Sequence, residues 1–387
     1  MVEESFAGTL EAQGFEEALM RLKPKPEVEE EPGQFWKDFI RETAPQFRKP
    51  TLEQLETLIL PIWRELVDGS CYVDGRLGEI FAELRPDVIV EDNVVAFPAV
   101  PASGIPWVRI VSCNPLELKD PDLPPVFSGL PSGDRTGWDD FRRRYHELHS
   151  DLQQEFSAFC ADRGAPALPE GEFIHDSPFL GLYLYPGEVD YPRSRPLEPT
   201  WHRLDSCVRE APPWEPPPGE GKLVYLSLGS LGSGDVELMR HLIELLAQMP
   251  HRVVVSMGPQ HEQLELAGNM AGAEFLPQPS VLLHADLVLT HGGNNTVTEC
   301  LHFGKPMIVL PLFWDQYDNA QRVDELGLGV RLAPYEVTGP ELRRAIEHLL
   351  ADTTMHERLG RIATRLQASP GTVRAADLIG SLAGFSP

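Results

Sequence analysis

The chain has 387 residues, 42% of them hydrophobic, which is enough for two domains of ordinary size with cores of their own. A formal charge of −26 leaves no basic footprint for nucleic acid and would repel an anionic membrane surface. The cysteines, Cys71, Cys113, Cys160, Cys207 and Cys300, are odd in number and lack a CxxC pair, which argues against a disulfide framework and a zinc site.

In chain order, the opening MVEESFAGTLEAQGF has no basic stretch followed by an apolar one, and no run approaches the roughly 18 apolar residues of a membrane span. The expected location is therefore cytoplasmic. The acidic patch Glu27 to Glu31 reads as an exposed loop. Residues 51–84 and 138–162 carry long helical patterns, and residues 87–90 and 107–111 read as strands. Asp92 follows the first strand, and its bland role is to cap a helix beginning near Val94 or Val95. The loops at 114–133 and 173–186 carry Phe127, Phe179, Tyr183 and Tyr185, which serve either an apolar pocket or the core. His146, His149 and His175 read as surface residues.

Residues 211–221, APPWEPPPGEG, form a stiff proline-rich linker, poor in N–H donors, between two halves. Beyond it, strand-like runs at 223–228, 252–256, 287–290, 307–310 and 329–332 alternate with helical stretches such as 236–249 and 316–326. That alternation predicts a parallel sheet covered by helices on both faces. A last apolar-periodic helix is expected over 372–382.

Residues 275–316 hold the densest chemistry. The apolar run 287–290 feeds the turn His291-Gly292-Gly293-Asn294, and TVTECLHFG then reads as a helix. Helix N-termini present unpaired N–H groups and partial positive charge, so a glycine turn there suits a diphosphate. His291 and Thr296 add side-chain donors. Asn295 and Glu299, four apart, share a helix face and place a carboxylate one turn beyond, in reach of ribose hydroxyls. The loop after 307–310 carries Asp315 and Gln316, suited to sugar hydroxyls, at the strand ends where such sheets bind ligands. Trp314 beside them suits either the core or the mouth of an acceptor pocket.

These motifs resemble the donor-binding segment of the family 1 UDP-glycosyltransferases: an aromatic-x-Pro-Gln opening, a His-x-Gly-x-Asn-Ser/Thr-x-x-Glu middle and an Asp/Glu-Gln close. The resemblance implies a GT-B fold, two Rossmann-like doubly wound α/β domains facing each other across a cleft. It implies that Phe275 stacks on uracil and Gln278 meets the base edge or ribose. His291, Asn295 and Thr296 would hold the diphosphate, with Ser230 after the strand at 223–228, and Gly293 and Asn294 belong to the same UDP-sugar site. Glu299 would hold the ribose, and Asp315 with Gln316 the transferred sugar. The expected units are residues 1–210, which bind the acceptor, the linker 211–221, the donor-binding domain 222–370 and a C-terminal helix, 371–387, that returns to the first domain.

The family opens with a strand, a Gly-His turn whose His is the general base, and a helix. Those elements have no counterpart here, so the N-terminal domain is expected to be incomplete by about 35 residues, with Asp92 as the relay partner of an absent His. The implied function is transfer of a hexose, glucose by a weak preference for Gln316, from a UDP-sugar to a small lipophilic hydroxylated acceptor with inversion, without metal or other cofactor. The other class left open is a non-catalytic UDP-sugar-binding protein or regulatory paralogue.

Overall fold

The structure is a computed structural model and describes residues 1–25 and 42–385. The acidic patch at 27–31 lies outside the described residues.

The N-terminal lobe begins with two short parallel strands, β1 (Val2–Glu3) and β2 (Leu19–Met20). A π-turn over Leu55–Ile59 leads into helix α1 (Leu60–Leu84). Trp63, Val67, Val73, Leu77, Ile80 and Phe81 recur on one face of α1 and are buried, as the 3.6-residue period requires. Next come β3 (Ile89–Asp92), β4 (Trp107–Val111), helix α2 (Trp138–Asp162), β5 (Leu180–Tyr183) and β6 (Trp201–Arg203). The four strands β3 to β6 form one parallel sheet in chain order.

The C-terminal lobe holds β7 (Leu223–Ser227), α3 (Val236–Ala247), β8 (Arg252–Ser256), β9 (Met270–Ala273), α4 (Gln278–His284), β10 (Leu287–Thr290) and α5 (Asn294–His302). It continues with β11 (Met307–Val309), α6 (Gln316–Glu325), β12 (Gly329–Arg331), α7 (Gly339–Ala351), α8 (Thr353–Gln367) and α9 (Gly371–Leu382). The sheet order is β12-β11-β10-β7-β8-β9, all parallel. Chain order reverses between β7 and β10, and at such a switch point the loops leaving the two strands diverge and open a crevice. Every residue of β7 and β10 is buried, which explains their continuous apolar runs.

Several readings of the sequence are corrected. β3 starts two residues late and runs through the acidic Glu91 and Asp92, because Glu91 lies in register with Arg109 of β4 and the pair of opposite charges is tolerated in the sheet. No helix begins near Val94; the first helical turn is Ala99–Ala102, after Pro98, since the residue before a proline is steered away from helix. Strand β5 sits inside the segment taken for a loop, four residues between Pro178 and Pro186. His149 and His175 are buried, not surface residues: His149 bonds the Tyr145 carbonyl at 2.7 Å and His175 the Pro166 carbonyl at 2.8 Å.

Ala375, Leu378, Ile379 and Leu382 of α9 pack on Val108, Leu180, Leu182 and Leu204 of the N-terminal sheet region. The chain after the C-terminal domain thus crosses back, and its half-buried apolar residues pack against the first lobe. Among the described residues no helix is long and apolar enough to cross a membrane, and no group of three or more His, Cys, Asp or Glu side chains is placed to hold a metal ion.

Candidate functional site

The turns after β7 and β10 meet at the switch point. The His291 ring lies between two bare glycines: a Cβ on Gly229 would come within 2.8 Å of the ring, and one on Gly293 within 2.6 Å. Gly292 has φ +90°, and a Cβ there would press the Gln316 carbonyl oxygen at 3.0 Å, so this turn closes only with glycine. Burial pushes the His291 pKa down to about 4, against the opposing effect of a hydrogen bond to the Ser227 carbonyl. The ring is therefore neutral at pH 7 and carries one N–H.

Helix α5 starts at the same place, with Gly293 in extended conformation at its N-cap and no side-chain cap bond. Its first N–H groups are the unpaired donors that the turn exposes. One turn on, Gln278 at the start of α4 gathers three neighbours. Its amide Nε2 donates to Glu299 Oε2 at 2.6 Å and to Thr296 Oγ1 at 3.2 Å, while its Oε1 accepts from the Tyr225 hydroxyl at 3.3 Å. Burial raises the Glu299 pKa. Phe275, three residues before Gln278, is 64% exposed, a ring left on the surface at the end of β9. Ser230 is exposed in the turn after β7, and Asn295 is exposed in the first turn of α5.

The remaining predicted residues have protein partners. Asn294 Nδ2 donates to the carbonyls of Ser112 at 2.8 Å and Leu184 at 3.0 Å, both in the N-terminal lobe, while its Oδ1 is buried without a partner. Asp315 Oδ2 accepts the Asn114 N–H at 2.8 Å, and burial pushes its pKa up to about 6. Gln316 Oε1 accepts the N–H groups of Leu312 and Phe313 at 3.0 and 3.2 Å and so shapes its own loop. Trp314, at φ +58°, is half-buried and packs against the aromatic core, its ring 4.4 Å from Phe127 and 5.5 Å from Trp63. Across the cleft, Asp92 ends β3 and accepts the Ser112 hydroxyl at 2.7 Å; it caps no helix.

Asn319 was not singled out in the sequence, yet it joins the pieces. It is fully buried, its Nδ2 holds the Gly292 carbonyl at 2.9 Å, and its Oδ1 accepts Asn114 Nδ2 at 2.8 Å and the Tyr185 hydroxyl at 3.2 Å. Its signal in the sequence is the four-residue spacing from Asp315, which sets Asn319 one helical turn beyond the N-cap of α6.

A parallel six-stranded sheet with its ligand-type turns at the switch point, facing a second parallel α/β lobe, decides the architecture. The fold is GT-B. Residues 206–370 match the family model described as UDP-glucoronosyl and UDP-glucosyl transferase. The chain is similar to a zeaxanthin glucosyltransferase of Pantoea ananas, 25% identical over 343 residues that make up 83% of this chain and 77% of the relative. Its fold is similar to the crystal structure of the glycotransferase of kitacinnamycin, with a TM-score of 0.68 and 26% identity over 84% of this chain and 82% of that one. It is also similar to the glycosyltransferase VinC, solved in complex with DTDP, with a TM-score of 0.57 and 18% identity over 95% of this chain and 87% of that one. The chain is a homologue of glycosyltransferases.

Proposed function

We propose that the chain transfers a hexose, glucose in the first instance, from a UDP-sugar to the hydroxyl of a small lipophilic acceptor. The observation that carries this reading is the crevice between β7 and β10, where His291, wedged between two glycines, and the uncapped start of α5 face the place a diphosphate would occupy. In the transfer the acceptor oxygen bonds to the anomeric carbon as the bond from that carbon to the diphosphate oxygen breaks. Displacement from the opposite face inverts the centre. Backbone N–H groups fixed at a helix N-terminus stabilise the charge that grows on the leaving diphosphate, and being pre-placed they need no reorganisation. Gln278, Thr296 and Glu299 supply donors and acceptors at ribose distance, and Phe275 offers a ring for the base. In this reading the acceptor proton passes to the Asp92 carboxylate in the facing lobe, which accepts the Ser112 hydroxyl and whose pKa burial raises. No metal enters this scheme.

A non-catalytic nucleotide-sugar-binding protein is the second reading. It is favoured by the way Asp315 and Gln316, the residues assigned to the sugar, already give acceptor atoms to backbone N–H groups. Calorimetric titration with UDP, TDP and UDP-glucose, repeated on Glu299→Ala and His291→Ala, followed by turnover on a panel of phenols, separates the two. TDP belongs in the set because VinC was solved with that nucleotide. Saturable binding weakened in both variants with transfer to phenols supports the enzyme. Binding without transfer supports the second reading, and no binding by the folded chain sinks both.

A further inference from the structure

Three cavities adjoin one another in the N-terminal lobe. The outermost, about 640 Å³, opens along α2 and is walled by Phe141, Tyr145 and Ser150 of that helix and by Pro121, Pro125 and Phe173. The middle one, about 20 Å³, is a gap among Trp63, Val94, Glu117, Phe127, Tyr145 and Phe173. The innermost, about 210 Å³, lies at the C-terminal ends of β3 and β4, walled by Asp92, Asn93, Ser112, Cys113 and Glu117. Neighbours share walls: Lys119, Val126, Tyr145 and Phe173 belong to the first and second, Val94 and Glu117 to the second and third.

The inner cavity adjoins the donor crevice directly. Its wall segment at 112–114 receives Asn294 Nδ2 on the Ser112 carbonyl at 2.8 Å and gives the Asn114 N–H to Asp315 at 2.8 Å. The outer cavity has mostly apolar walls and the inner one carries two carboxylates, so the series runs from apolar to polar toward the donor. What interrupts it is the neck. A gap of 20 Å³ holds about one water and no ring or chain. Tyr145 closes it, stacked on His149 with ring centroids 4.1 Å apart and with Lys119 Nζ 5.6 Å from its centroid. Lys119 is tied in turn to Glu172 at 3.0 Å. The far side is Phe127, which packs on Trp314, the neighbour of Asp315 in the donor loop. Rotation of one side chain between staggered rotamers would open the passage.

We propose that an elongated acceptor, an apolar body ending in a hydroxyl, lies along this series with its body in the outer cavity and its hydroxyl in the inner one, and that Tyr145 determines specificity between long and short acceptors. This rests on the transferase reading. It adds what that reading lacks: the acceptor's shape, its direction of entry and the side chain that selects it.

The test compares 4-octylphenol with phenol. Ser150→Trp narrows the outer cavity and Tyr145→Ala opens the neck. Relative to wild type, Ser150→Trp is expected to lower the octylphenol-to-phenol ratio of kcat/KM at least tenfold, through KM. Tyr145→Ala is expected to raise that ratio at least threefold. Ratios within twofold of wild type in both variants overturn the proposal. His146→Trp, exposed on α2 and in the wall of the same cavity, takes the place of Ser150→Trp should that variant fail to fold. Calorimetric binding of 4-octylphenol itself gives a readout independent of turnover. Affinity at least tenfold weaker in Ser150→Trp supports the proposal, and equal affinity overturns it. Loss of UDP and TDP binding in wild type would count against the transferase reading instead.

Discussion

At the scale of residues, His291 and Glu299 make separable predictions. The His291 ring is neutral above about pH 4, and its hydrogen bond to Ser227 leaves the diphosphate to the backbone N–H groups unless the ring turns or gains a proton. A bound diphosphate favours the charged imidazole and must raise its pKa. UDP binding is therefore expected to take up protons between about pH 4 and 6, read by calorimetry in buffers of different ionisation enthalpy. Proton uptake of zero across that range would show that His291 does not meet the phosphates. The same depressed pKa has a stability consequence. Folding keeps His291 and His149 neutral while the unfolded chain binds protons below about 6.5, so their contribution is whole above that pH and falls as pH drops toward 4. Glu299→Ala removes the 2.6 Å bond that orients Gln278 and should weaken UDP about tenfold, roughly 1.4 kcal/mol.

At the scale of elements, α6 and its N-cap Asp315 tie the two lobes together. Asp315 and Asn319 hold the N-terminal segment at Asn114, and Asp318 accepts the N–H groups of Phe127 at 2.7 Å and Gly129 at 2.8 Å. Arg322 of the same helix donates to the carbonyls of Val189 and Asp190. Burial pushes Asp318 up to about 8 despite its two N–H partners. The folded chain then binds more protons than the unfolded one between about pH 4 and 8, so stability from this group declines as pH rises through that window. Thermal unfolding of wild type and Asp318→Asn from pH 5 to 8 is expected to show the difference in Tm shrinking or reversing as pH rises. A difference that stays constant would mean that Asp318 is ionised throughout.

At the scale of the whole molecule, the charge of −26 opposes an anionic donor, and the opposition is long-ranged. Salt shortens that range from about 30 Å at 0.01 M to about 8 Å at 0.15 M, so UDP affinity should tighten by about twofold or more across this change. Weakening instead would mean that the local positive ends in the crevice outweigh the global field. The two lobes are further joined by α9, whose apolar side chains lie on the N-terminal sheet region. Leu378→Asp places a charge in that contact and should lower the Tm of the N-terminal lobe selectively, leaving UDP affinity in the other lobe unchanged.

How much could be read in advance depended on how local the cause was. The C-terminal strands other than β9 and the turn His291 to Asn294 were legible because a buried parallel strand needs an unbroken apolar run, and the turn between strand and helix needs glycines where the backbone bends or a ring must lie close; β9, a half-exposed edge strand of sequence MAGA, carries no such run. The β3 start, the short β5 and the burial of His149 and His175 were not, because each depends on a partner distant in the chain: Arg109 opposite Glu91, β4 beside β5, the Tyr145 and Pro166 carbonyls over the histidines. The same division runs through the site. The spacing from Asn295 to Glu299 was readable in advance, since helix geometry alone puts residues four apart on one face behind the glycine turn. That Asn294 reaches across to Ser112 and Leu184 and that Asn319 binds the Gly292 turn to Asn114 follow from how two lobes pack. Packing between lobes is set by shape and by contacts far apart in sequence, so no periodicity or spacing records it.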